Sequence, residues 1–189
     1  MRKKHEKKSK TGIWLIIFIA ILMLTSTIGY VFKGDTKEKY GDFSFSMGED
    51  QIWYTKINGR QIGFHYFPAD LESINLSSEI IDRIKTTNMV YFTHDPENRY
   101  REDIALLKEI FWQYFQIYAD NGLTANNTFN LPIISCDNAT ISLPVIYFKD
   151  SNQTGFYLDN NCIICEIRPG EDFTALKERL FYSLFGVME

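Results

Sequence analysis

The feature that most constrains this chain is a charge-free apolar run over residues 12–32 (GIWLIIFIAILMLTSTIGYVF). A helix of that length, rising about 1.5 Å per residue, matches a hydrocarbon core of roughly 30 Å, so the run predicts a transmembrane helix. The head before it, residues 1–11, carries Arg2, Lys3, Lys4, Lys7, Lys8 and Lys10 against one acid, Glu6. Lys/Arg excess marks the cytoplasmic side of a span. The expected topology is therefore a cytoplasmic head, a single-pass signal anchor touching membrane lipid, and an extracytoplasmic remainder. A cleaved signal peptide is the alternative, but it has an apolar stretch of about 7–15 residues and a small-x-small site. Here the nearest such site, Thr27 to Gly29, runs on into Tyr30, Val31 and Phe32.

Charge is segregated along the chain. The formal net charge of −4 conceals a basic head, and the remainder holds fourteen basic and twenty-three acidic residues, a net of −9. An acidic domain argues against nucleic acid, whose binding needs a Lys/Arg surface that displaces counterions. Residues 33–48 are polar and contain glycine, and they read as a juxtamembrane linker, with Phe43 and Phe45 as a possible strand start. Residues 49–189 are long enough for one domain with its own core.

Within that domain, 52–57 and 61–67 flank Asn58-Gly59, the dipeptide of a type I′ hairpin turn. Ser77-Ser78-Glu79 opens a helix with Leu76, Ile80, Ile81 and Ile84 on one stripe. Residues 89–93 form a short β run. Asp95-Pro96-Glu97 is a helix opening, with the helix starting there or at Arg101. Tyr100, Ile104, Leu107, Phe111, Tyr114, Phe115 and Tyr118 then share a face, and Asn121-Gly122 is the expected stop. Strands are expected at 131–136, 143–149 and 162–167, with a further short run at 156–158. Asp172 caps a final amphipathic helix closed by Gly186. The order predicts an α+β fold: an N-terminal transmembrane helix, then one domain with a mixed sheet packed by about three helices.

The three cysteines are Cys136, Cys162 and Cys165. Outside the cytoplasm a pair is expected to oxidise. Cys162 and Cys165 have C-x-x-C spacing, but in a strand positions three apart face opposite sides about 10 Å apart. A disulfide needs Cα atoms within roughly 7 Å. Pairing Cys136 with Cys162, each at a strand end beside an Asn/Asp-rich loop, is the expected bridge, leaving Cys165 as a buried small hydrophobe. The redox alternative makes the chain an envelope thiol–disulfide protein. Four acceptor triplets start at Asn75, Asn126, Asn138 and Asn152, and they mark possible glycosylation sites.

His94-Asp95 follows a strand and opens a helix, a corner where a histidine beside an acid qualifies as a general base. It centres an alternative reading as a hydrolase or ligand-binding domain. No nucleophile elbow, Gly-rich phosphate loop or His-Glu-x-x-His is present. No catalytic residue, cofactor or metal site is assigned. Ser142-Leu-Pro144 leading into a central strand resembles thioredoxin-like domains, which implies a degenerate thioredoxin-like α/β fold as the alternative architecture. The expected Cys pair after the first strand is replaced here by His94-Asp95-Pro96-Glu97.

A wider resemblance runs through the basic head and apolar run, Trp53-Tyr-Thr-Lys-Ile-Asn-Gly59, Phe67-Pro68, Cys136-Asp-Asn-Ala-Thr140, Pro144-Val-Ile146, Asn161-Cys-Ile-Ile164 and Leu180 to Gly186. With these the chain resembles a group of small uncharacterised single-pass membrane proteins of archaea. That resemblance implies a surface location and brings no activity. The leading expectation is a membrane-anchored extracytoplasmic domain that is non-enzymatic and engages a protein partner, or a second copy of itself, in the cell envelope.

Overall fold

The computed structural model describes residues 10–31, 36–126 and 128–189, with side chains over 14–25 in the first helix. The chain divides into two units, Met1–Thr36 and Lys37–Glu189. The first contains helix α1 (Lys10–Val31). The expected transmembrane helix over 12–32 is not supported: among the described residues, no helix is long and apolar enough to cross a membrane. Most of the basic head lies outside the described residues.

The second unit corrects the expectation of one mixed sheet, because it holds two. The first sheet is an antiparallel meander of β1 (Lys37–Tyr40), β2 (Phe43–Met47), β3 (Trp53–Ile57) and β4 (Arg60–Phe64), in that spatial order. Most of the presumed linker 33–48 is therefore folded structure. Asn58 and Gly59 take φ of 50° and 79°, both left-handed as a type I′ turn requires, and Ile57 pairs with Arg60 across them. Alternation gives this sheet a dry face (Phe45, Trp53, Ile57, Phe64) and a wet one (Ser44, Tyr54, Lys56).

The second sheet contains β5 (Met89–His94), β6 (Tyr118–Leu123), β7 (Val145–Asp150), β8 (Gly155–Asp159) and β9 (Cys162–Ile167). Its order is β6-β5-β7-β9-β8, parallel except for the edge strand β8. Helix α2 (Ser78–Lys85) precedes β5, α3 (Arg101–Ile110) links β5 to β6, and α4 (Phe173–Leu184) follows β9. The degenerate thioredoxin-like alternative is not supported either. Among the described residues a separate four-stranded sheet precedes β5, and no α-helix lies between β6 and β7.

Helix α4 lies between the sheets. Tyr182 stacks on Phe64 of the first sheet at 4.1 Å between ring centroids, and Phe173 meets Phe148 of the second at 5.9 Å. A helix covered on both sides must bury its polar residues too, and each has partners. Glu178 accepts from the N–H groups of His65 and Tyr66, both at 2.9 Å. Arg179 donates to Ile74 O at 3.1 Å, to the Ser183 hydroxyl and to Glu189 O at 2.6 Å. Burial also pushes the Tyr182 phenol far above its ordinary pKa.

Two expected elements differ. The helix predicted through Tyr118 starts at Arg101 and, after a π turn at Phe111–Phe115, ends at Gln116, whose φ of 58° is left-handed. Tyr118 and the expected stop Asn121-Gly122 belong to β6, which pairs with β5. The strand expected at 131–136 is absent apart from one bridge between Leu123 and Ile133, and Cys136–Asn138 forms a 3-10 turn. This segment covers the helix-free face of the second sheet. Ile134 packs there with Val145, Cys162 and Ile164.

Candidate functional site

Three places have features of a site: the His94-Asp95 corner, the cysteines, and the seam between α3 and β6. At the corner, β5 ends with His94 buried and Asp95 exposed. Neighbours in an extended chain face opposite ways. His94 lines a hollow of about 360 Å³ with Arg101 and Glu102 of α3 and Asn121 and Leu123 of β6. Its Nδ1 lies 2.8 Å from the Asp95 main-chain oxygen. The Asp95 carboxylate instead accepts from the Thr124 hydroxyl and, at 3.3 Å, from the Tyr147 hydroxyl. Burial first, and then the Asp95 charge, raises the Tyr147 phenol above its ordinary pKa. The corner therefore has a hollow, and Arg101 and Glu102 supply further charged groups. It does not pair His94 with Asp95 as base and orienting acid.

In open parallel sheets the ligand crevice lies beyond the strand carboxyl ends, where connections diverge. Here that place is between β5 and β7, and the chain fills it. Asn98 Nδ2 reaches Phe148 O at 3.4 Å, and Arg99 pairs with Asp150 at 3.4 Å.

Cys136 and Cys162 form a disulfide with Cα atoms 5.2 Å apart. It ties the covering segment to the first residue of β9. Cys165 is free, buried on the opposite face of β9 from Cys162, and packed into the main core. Burial, with the Glu166 charge beside it, pushes this thiol well above its ordinary pKa, the reverse of a reactive cysteine. Among the described residues no group of His, Cys, Asp and Glu could hold a metal ion.

Asn75, Asn126, Asn138 and Asn152 are all exposed. The Asn138 Oδ1 accepts from Ser135 N–H at 2.8 Å, which closes a capping box. His65 is exposed on the bend after β4, with Nδ1 3.0 Å from Glu178 Oε1.

The α3–β6 seam was not singled out by the sequence. Trp112 and Tyr118 are 55% and 54% exposed, whereas most aromatics of this unit are buried or half-buried. Trp112 and Tyr118, with Lys108, Glu109 and Ala119, line a hollow of about 520 Å³. The hollow under His94 is higher on the same seam, because α3 and β6 run in opposite directions. A broader dish of about 770 Å³ lies over the polar face of β1–β3, as expected of the wet side of a sheet. Periodicity puts Tyr118 on the helical face of Ile104, Leu107 and Phe111. Ending the helix at Gln116 makes Tyr118 the first residue of β6 instead, where it is exposed.

No protein family, curated protein or solved structure matches this chain.

Proposed function

We propose that Lys37–Glu189 is an extracytoplasmic, non-enzymatic binding domain that engages another protein through the α3–β6 seam. The exposed rings of Trp112 and Tyr118, which line one hollow, carry this reading. Contiguous large apolar side chains left in water mark interaction surfaces, and aromatics supply most of the energy at the centre of such contacts. The Cys136–Cys162 bridge supports a location outside the reducing cytosol. The buried Cys165 thiol and the separation of His94 from Asp95 weigh against the thiol–disulfide and hydrolase readings.

A photo-crosslinking amino acid placed at Trp112 of the full-length chain, in the cells that make it, tests the proposal. The control site is Lys56 on the polar face of the first sheet. A discrete polypeptide adduct at 112 and none at 56 is the expected result, whether the captured chain is another protein or a second copy. No adduct at 112, or equal labelling at both sites, refutes it.

A further inference from the structure

We infer that the α3–β6 seam takes its partner as an extended segment added beside β6 as a sixth strand. This rests on the protein-binding reading above and names the form the partner takes.

The hydrogen-bond ladder carries the inference. Tyr118 N–H donates to Asn88 O at 2.9 Å and Thr124 N–H to His94 O at 3.1 Å, so the even-numbered residues of β6 turn their main-chain groups toward β5. The odd-numbered residues turn theirs outward. Leu123 shows what that edge accepts: its N–H donates to Pro132 O and its C=O accepts from Ile134 N–H, both at 2.9 Å. The chain thus already lays one short extended piece on this edge, parallel to β6. That piece arrives through Asn130, whose φ of 56° turns the backbone, and its coverage stops at Leu123.

Ala119 and Asn121 lie below it. Among the described residues, the N–H and C=O of Ala119 and the C=O of Asn121 have no main-chain partner on the outer side. The Asn121 N–H is held by Asp120 Oδ1 at 2.9 Å. Outward donors and acceptors repeating about every 6.6–6.8 Å are the complement of another extended main chain, and pairing at such an edge is a recurrent way of binding peptides.

The walls of the seam fit the same occupant. Trp112, Tyr118 and the largely buried Ala119 all line the lower hollow, so an added strand would set an apolar side chain against these rings. Higher up, Asn121 Oδ1 is buried without a hydrogen-bond partner among the described residues, at the hollow that Arg101, Glu102, Phe129 and Leu131 line. Buried polar atoms are almost always paired, and an incoming N–H would supply the missing donor.

The test pans a displayed library of short random peptides on the full-length oxidised protein, then resynthesises the strongest binder with single backbone N-methyl groups. Methylation at one alternating set of positions should weaken binding about tenfold each, the order of one lost main-chain hydrogen bond, and the other set should be tolerated. The Ala119 amide should exchange with solvent more slowly in the complex. Ala119→Pro removes the outward donor and leaves the β5 ladder intact, so it should weaken binding similarly. If that variant does not fold, Trp112→Ala and the N-methyl series decide.

Tolerance of N-methylation at every position overturns the inference. So does an empty panning experiment alongside a specific crosslink at Trp112; the partner would then dock by side chains alone, and the protein-binding reading would stand. No peptide and no crosslink would overturn both.

Discussion

Removing the Cys136–Cys162 bridge should cost a calculable amount of stability. The bridge joins positions 26 apart. On the chain-entropy estimate, closing a loop of that size removes about 12 cal/mol/K… from the unfolded chain, which is about 3.5 kcal/mol at 25 °C. Native packing adds to this, because Cys162 is buried with Ile134, Val145 and Ile164, and the bridge holds the only cover of that face among the described residues. The perturbation is Cys136→Ser with Cys162→Ala, measured by equilibrium urea unfolding of the full chain. At a slope of about 1–3 kcal/mol per molar urea, the midpoint should fall by about 1–3 M. Reductant should produce a similar fall in the wild type and none in the variant. Amide exchange should rise first at Thr93 and Ile134, which the covering segment links by a 2.7 Å hydrogen bond from the Thr93 hydroxyl to Ile134 O. A loss under about 1 kcal/mol, or three free thiols on alkylation of the denatured, unreduced chain, would refute the reasoning.

Other outcomes follow from particular contacts. Glu178→Ala leaves the His65 and Tyr66 N–H groups without their acceptor and should cost about 2–4 kcal/mol in the same assay, with Glu178→Gln costing about half as much. Gly122→Ala drives a methyl into Ile134 Cγ1 and within 3.1 Å of Pro132 O, so it should cost about 1–3 kcal/mol and loosen the covering segment. Cys165 gives a pH signature. Its folded thiol ionises well above the ordinary value, so the unfolded chain loses that proton first. Stability from this group is therefore full below the ordinary thiol range and falls as pH rises through it. The urea midpoint should decline from about pH 8 to 10, and Cys165→Ala should flatten that decline relative to wild type.

Local signals in the sequence were sufficient where local chemistry decides the backbone. Asn58-Gly59 forms its turn because these two residues tolerate positive φ, and Asp172 caps α4 by accepting from Thr174 N–H at 2.8 Å. That Cys162 and Cys165 do not bridge was also legible, since strand alternation puts them on opposite faces. Elsewhere the same rules misled. Tyr118 to Gly122 fits a helical stripe and its stop, yet pairing with β5 makes it a strand. Gly122 serves there to let Ile134 approach, which no local rule anticipates.

What the sequence determined by itself is the set of elements with strong turn or capping chemistry, the acidic balance of the domain, and that Cys162 and Cys165 do not bridge. Only the tertiary structure decided that the strands divide into two sheets around α4, that the crevice between β5 and β7 is filled by Asn98 and Arg99, and that β6 is the last strand of its sheet among the described residues, beside Trp112 and Tyr118. Those outcomes depend on which distant main-chain groups find partners. A residue's own side chain and near neighbours do not encode that.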